Sequence, residues 1–274
     1  MAEFEETGSQ RALSRFEITR YRAGDYFSVK DVVAREEPLE VRLNGSTLVR
    51  LMRLPVPGDD ELLAAGFCLS EGLVSNGSQI ESVRCTPGGS PAGAGEGEPR
   101  PTGVSSGGSP AMDLVEIRAR LNEGAGPRPE ARTVLTGAGG ADLTRGFDLA
   151  GVTVESDAVF DAGVILKMPD ALARRQEVFR ASGGAHGAGL FDPRGNVLVV
   201  KEDVGRHNAV DKVLGYLLLS GGDPSGVGMM FSGRLSCEMV LKAARAGVPL
   251  VCSVSAPTAL GVETGRRAGV TLVG

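Results

Sequence analysis

Residues 201–212 read KEDVGRHNAVDK. These twelve positions hold Glu202, Asp203, Arg206, His207, Asp211 and Lys212, and His207 is one of only two histidines in the chain. Such a run has the side chains to move protons, to bind an anion, or simply to begin a helix with polar caps. Three more stretches of the second half have a similar make-up. Ser182-Gly183-Gly184-Ala185-His186 leads from an expected helix into a strand. Ser232-Gly233-Arg234-Leu235-Ser236 and Ser255-Ala256-Pro257-Thr258 each lead from a strand into a helix. Glycines admit a ligand close to the backbone, helix starts offer free N–H groups, and arginine and serine add donors. That combination suits phosphate or pyrophosphate. Helix capping explains any one of these loops alone. Four together, carrying both histidines, point to a ligand site. The candidate contacts are Ser182, Gly183, Gly184, His186, Asp203, Gly205, Arg206, His207, Asn208, Ser232, Gly233, Arg234, Ser236, Ser255 and Thr258.

Several chemistries are excluded by missing motifs. There is no GxxxxGK[ST] phosphate loop, and no GxGxxG between a strand and a helix. No HxE accompanies a PCxxC, as a zinc deaminase requires, and no GxSxG elbow stands between an expected strand and helix, as a serine hydrolase requires. His186, His207, Cys237 and Cys252 lack the spacing of metal ligands, so no bound metal is expected. Acid–base chemistry by His186 or His207 on a small molecule stays open at this point.

The four cysteines, Cys68, Cys85, Cys237 and Cys252, form no CxxC pair and no disulfide ladder. With an acidic, polar start this favours a reduced, cytoplasmic protein. Cys68 and Cys252 are expected in the core. Cys85 ends a strand before a glycine-rich stretch and is expected to be accessible. Cys237 begins a helix near Arg234, which is expected to lower its pKa. Cys85 and Cys237 are therefore the two thiol candidates. A net charge of −5 argues against nucleic acid and anionic membranes as partners. No apolar run approaches the roughly 18–20 residues of a membrane helix.

The elements that must position these residues follow from periodicity. RFEITRY alternates as a strand at 15–21, and Asn44-Gly45 turns a hairpin between 39–43 and 46–52. A helix capped by Asp59 is expected over 59–74, followed by strands at 80–85 and 113–121. Residues 86–110 are almost all Gly, Pro, Ser, Ala and Glu and are expected to be a mobile loop. RTVL, 132–135, is a further candidate strand. Beyond about residue 145 short apolar strands alternate with helices: helix 169–180, a strand pair around Pro193–Gly195, helix 206–220, then strand, helix, strand, helix and a last strand. This is a layered α/β pattern. The expected division is an N-terminal α+β domain, 1–143, and a layered α/β domain, 144–274.

Several of these stretches together resemble the FdhD/NarQ family. SGGAHGAGLFD, KEDVGRHNAVDKVLG, FSGRLSCEMVLKAARAGVPLVCSVSAPT and TLVG are similar to its C-terminal half. AREEPLEVRLNG and MRLPVPGDDELLAAGFCLSEGLV are similar to its N-terminal half. The resemblance covers most of residues 14–274 outside the loop at 86–110. It implies a cytoplasmic, dimeric accessory protein for formate dehydrogenase. It implies binding of molybdenum cofactor in its bis(molybdopterin guanine dinucleotide) form, for which GDP is a mimic. It also implies sulfur transfer to that cofactor from a cysteine desulfurase, before insertion into the catalytic subunit of the dehydrogenase. The larger domain is expected to resemble the cytidine deaminase fold without its zinc. Arg206 and His207 would then face phosphate or guanine, with Asp211 orienting them.

The chain departs from the family pattern in two places. The sulfur-carrying motif SSCGxCG falls on residues 134–140, where Thr136 and Gly139 stand in place of the two cysteines. A hydroxyl cannot hold a persulfide. Family members also continue past TLVG with a segment rich in Phe, Arg and Gly, whereas this sequence ends at Gly274. Two functions remain: a sulfur carrier that uses Cys85 or Cys237, and a cofactor- or guanine-nucleotide-binding chaperone without the thiol step.

Overall fold

The computed structural model describes residues 8–88, 112–125, 132–134 and 151–274. Strands β1 (Leu13–Arg22) and β2 (Asp25–Ala34) form an antiparallel ribbon of their own. Strands β3 (Glu37–Leu43) and β4 (Ser46–Arg53) form the expected hairpin. Asn44 and Gly45 both take positive φ, 51° and 84°, as a tight two-residue turn requires. With β5 (Ile80–Thr86), β6 (Asp113–Ala119) and β7 (Arg132–Val134) they complete a five-stranded sheet ordered β5-β6-β3-β4-β7. Leu39, Val41, Leu43, Val115 and Ile117 are fully buried on its inner face, where helix α1 (Asp59–Ser70) packs.

The second half opens with helices α2 (Ala162–Ile165), α3 (Met168–Arg175) and α4 (Glu177–Ser182). Then come β8 (His186–Phe191), β9 (Val197–Asp203), α5 (Arg206–Ser220), β10 (Gly228–Phe231), α6 (Cys237–Arg245), β11 (Leu250–Ser253), α7 (Ala259–Ala268) and β12 (Thr271–Val273). The sheet order is β12-β11-β10-β8-β9. β8 runs antiparallel to both neighbours, and β10, β11 and β12 are mutually parallel. All strands except β8 therefore end at one edge. Side chains alternate across this sheet as strand geometry dictates. Met229, Phe231 and Val251 enter the core shared with α5 and α6, while Met230, Leu250 and Cys252 meet Met168 and Leu172 of α3.

Two glycines join the halves. A Cβ on Gly66 of α1 would lie 1.7 Å from the Asp211 carbonyl oxygen, and one on Gly215 of α5 would lie 1.8 Å from that of Leu62. Only glycine lets the two helix backbones touch, so the apolar core runs unbroken from one sheet to the other. Beside the crossing, Lys242 Nζ sits 2.9 Å from both oxygens of buried Asp211, and Ser70 Oγ donates to Asp211 Oδ1 at 2.7 Å.

Buried charge ties the same seam. Lys212 Nζ is 2.8 Å from Asp203 Oδ2 and 3.4 Å from Asp59 Oδ2, and donates to the carbonyls of Glu202 and Leu54. Burial alone lowers an ammonium's pKa. Asp203, then Asp59 and Asp60, outweigh it and hold Lys212 above the ordinary lysine value. Arg53, also buried, pairs bidentately with Asp60 and reaches Glu37 and Asp113.

Four expectations are corrected. Helix α1 ends at Ser70, not 74, because Gly72 takes a φ of 73°. Asp59 does not cap it. Gly58 occupies that position, and the Asp59 carboxylate is drawn instead to Lys201 and Lys212. Helix 169–180 is broken at Gln176, because the Glu202 carboxylate accepts the Val178 and Phe179 N–H groups and starts a new helix there. Finally, β6 ends at Ala119, two residues early. Strand β2 and the short α2 were not expected. The stretch 89–110 and residues 136–143 lie outside the described residues.

Two stability outcomes follow. Gly66→Ala must push backbone from backbone and should cost about 3 kcal/mol or more in urea unfolding. Gly226→Ala, with no atom nearer than 3.8 Å to the added carbon, should change little. Lys212→Met leaves the Asp203 carboxylate buried without its cation, while Asp59 keeps Lys201, and should cost ~3–5 kcal/mol. Because the folded pKa of Lys212 is raised, its contribution is complete below the ordinary lysine value and fades as pH rises through the folded one. Unfolding midpoints measured up the alkaline limb should fall in the wild type and stay flatter in Lys212→Met.

Candidate functional site

The edge at which β9, β10 and β11 end carries the loops that lead into α5, α6 and α7. β8 begins at this same edge, since His186 pairs with Asp203. Three of the four expected loops and His186 therefore converge.

At the β9–α5 loop, Asp203 turns inward. Its Oδ1 accepts from the Gly205 N–H at 3.0 Å and from Asn208 Nδ2 at 2.8 Å, and its Oδ2 accepts from the Leu54 N–H at 3.1 Å. Asn208 Nδ2 also donates to the Met52 carbonyl. These two side chains hold the loop's shape. The N-cap of α5 is Gly205, and among the described residues no side chain caps it. The same holds for α6, whose N-cap is Ser236. In contrast, α7 is capped by Thr258, whose Oγ1 accepts from the Gly261 N–H at 3.1 Å.

Around the two uncapped helix starts lie the reactive groups. His186 Nδ1 is 3.1 Å from Ser232 Oγ, which also accepts from the Gly187 N–H. Burial, then the Arg206 guanidinium, lowers the His186 pKa and keeps its imidazole neutral near pH 7. Arg206 lies across Gly233, where an added Cβ would sit 3.2 Å from Arg206 Cδ. His207 is 7% exposed, and its Nε2 lies 3.0 Å from Glu238 Oε2. The hydrogen bond from His207 holds the Glu238 carboxyl below the usual glutamate value, against the opposing effect of burial. Three buried polar atoms have no hydrogen-bond partner among the described residues: Arg206 Nε, His207 Nδ1 and Ser236 Oγ. All three flank the α5 and α6 starts. An unmade bond of this kind costs about 1–3 kcal/mol, which a ligand at the edge can return.

The outer loops are fastened together. Leu235 N–H donates to the Ala256 carbonyl and Thr258 N–H to that of Leu235. Ser253 Oγ donates to the Gly233 carbonyl and accepts from the Ser255 N–H. Arg234 is exposed on this rim, and Ser255 is half-buried. Ser182, Gly183 and Gly184 form the C-terminal cap of α4. Ser182 Oγ donates to the Val178 carbonyl and accepts from the Gly184 N–H, and a Cβ on Gly184 would lie 3.1 Å from the Ala34 Cβ of the ribbon. Asp211, expected to orient Arg206 and His207, is instead committed to Lys242 and Ser70. Glu238 and Ser253 were missed. Glu238 stands in the first turn of α6, two residues after Ser236, and that position was the available signal.

None of the four thiols has a thiolate-favouring environment. Burial pushes Cys68 and Cys252 up to about 12. Cys237, 6% exposed and bonded by Thr264 Oγ1 at 3.2 Å, is also raised, chiefly by burial. The expected lowering by Arg234 is overturned. Cys85 is half-buried, as its position suggested, but burial followed by Asp60 and Glu61 raises it to about 11. Thr136 and Gly139 lie outside the described residues. Among the described residues no group of three His, Cys, Asp or Glu side chains is gathered as a metal site, and no helix is long and apolar enough to cross a membrane.

Comparison with known proteins agrees along the whole chain. "Sulfur carrier protein FdhD" of Saccharolobus solfataricus is 34% identical over 266 residues, covering 96% of this chain and 92% of that protein. The protein of the same name from Corynebacterium efficiens is 37% identical over 252 residues, 89% of this chain and 85% of the relative. The solved structure of a formate dehydrogenase accessory protein from Desulfotalea psychrophila superposes with a TM-score of 0.69 over 95% of this chain and 91% of that one. At 24% identity it speaks for the fold. The FdhD/NarQ family profile matches residues 34–274, and with relatives this similar over nearly the full length, the chain belongs to the FdhD/NarQ family.

Proposed function

We propose that this protein is a formate dehydrogenase accessory protein that binds the guanine dinucleotide form of molybdenum cofactor at the edge where α5 and α6 begin. The observation that carries this is the pair of uncapped helix starts with three unpartnered polar atoms beside them. Uncapped N–H groups, a guanidinium, an imidazole and a hydroxyl fit a pyrophosphate. Arg206, His207 and Ser236 would hold the phosphates, and neutral His186 with Ser232 offers a further polar contact. The cofactor is cargo here, and what it supplies is the metal centre of the dehydrogenase. The residues of this chain bind and orient it. The dehydrogenase's catalytic subunit is the receiving partner, and the protein acts as a cytoplasmic homodimer. The strand order β12-β11-β10-β8-β9, with β8 alone reversed and helices on both faces, supports likeness of the second half to the cytidine deaminase fold.

Binding and delivery without a thiol relay is the reading the side chains favour. A sulfur carrier needs a thiolate. A thiol at about 11 is ionised to roughly one part in ten thousand at pH 7. The second reading is a relay from a cysteine desulfurase through Cys85, supported by the sulfur-carrier name of the relatives and by the partial exposure of that thiol.

GDP should bind saturably to the purified chain, and Arg206→Ala should weaken it roughly ten- to hundredfold, the worth of a charge-assisted contact. Absence of saturable binding sinks the proposal. After incubation with a cysteine desulfurase and cysteine, intact mass under non-reducing conditions should show no added sulfur. An added sulfur that maps to Cys85 and vanishes in Cys85→Ala would establish the relay instead.

A further inference from the structure

His207 has two ring nitrogens with different fates. Nε2 faces the Glu238 carboxylate at 3.0 Å. An ionised carboxylate only accepts, so Nε2 must carry the hydrogen in that bond. If the ring is neutral, Nδ1 is then a bare lone pair, which repels an anion. Nδ1 becomes a donor only when the ring carries both protons. That nitrogen is buried without a partner among the described residues, in the first turn of α5, next to Arg206 Nε in the same condition.

We propose that Glu238 is a positioning residue that makes ligand binding proton-linked: an anion captured beside α5 draws one proton from solvent onto His207 Nδ1, while Nε2–H stays on Glu238. The inference rests on the anion-binding reading above. The charged groups around the imidazole divide clearly. Glu238 of α6 sets a carboxylate against the ring at Nε2. Arg206 on α5 and Lys242 of α6 also act on Glu238, and as cations they oppose a third positive charge. On the other side, His186 of β8 is within electrostatic reach of His207, Arg206 and Asp203 of β9. The incoming anion offsets the cations and tips the balance. No bond is broken and no redox partner is needed.

Calorimetric titration of GDP into the full chain tests this. It is run at pH 8 in two phosphate-free buffers of different ionisation enthalpy. At that pH the nucleotide phosphates, with a second ionisation near 6, are fully charged, so any proton exchanged belongs to the protein. The expected result is net proton uptake on binding, with affinity falling as pH rises. His207→Gln should abolish the uptake. Glu238→Gln should diminish it and weaken binding more at pH 8 than at pH 6, whereas a merely structural role would weaken binding equally at both. His186→Gln, whatever it does to affinity, should retain the uptake per nucleotide bound. If His207→Gln does not fold, Glu238→Gln and His186→Gln still decide. Binding without proton exchange overturns this inference and leaves the binding proposal intact. Uptake lost in His186→Gln instead overturns the assignment to His207. No binding at any pH overturns both.

Discussion

Two backbones in contact set the terms for everything else in this fold. Where Gly66 meets Gly215, the helices approach more closely than any side chain permits. That approach lets one helix from each half share a single core, and it places Ser70, Asp211 and Lys242 within reach of one another across the seam. It also brings Asp59 of α1 to Lys212 of α5. A buried ion pair stabilises weakly by itself, but breaking one is costly. Packing brings the halves together, and the paired charges fix how they sit.

Much of this was legible in the chain. Helix 206–220 was bounded correctly because its polar start, its apolar spacing and Gly221 with a φ of 68° agree. The Asn44-Gly45 hairpin was equally plain, since few other dipeptides tolerate positive φ twice. The convergence of three loops was legible too, because strand–helix alternation places such loops at one edge. What failed was long-range. Asp59 reads as a cap until lysines 142 and 153 positions away claim it. Helix 169–180 reads as continuous until Glu202 interrupts it from β9. Gly66 reads as one more small residue on an apolar face, and nothing local says that a backbone lies against it.

The thiols show the same limit. Arg234 stands three residues before Cys237, and proximity in sequence suggested a lowered pKa. In the fold, burial governs that sulfur instead. A reactive thiol at a helix start needs partial exposure or a nearby cation, and what reaches this sulfur is only the neutral Thr264 hydroxyl. The thiols and the unpartnered polar atoms at the α5 and α6 starts thus lie in different environments among the described residues. The edge has its polar groups in place, whereas burial raises each of the four thiols.

Three consecutive residues at the end of β9 each answer to a different neighbour. Lys201 pairs with Asp59 of α1, Glu202 caps α4, and Asp203 holds Lys212 and the Leu54 N–H. Change at any of them demands matching change in a separate element, so this triplet is close to frozen against drift. Three positions further on, the constraint relaxes: Arg206 Nε has no hydrogen-bond partner among the described residues. Residues that hold the joint and residues with unspent hydrogen-bonding capacity therefore sit side by side in sequence, and the second kind can change without disturbing the joint that holds the molecule together.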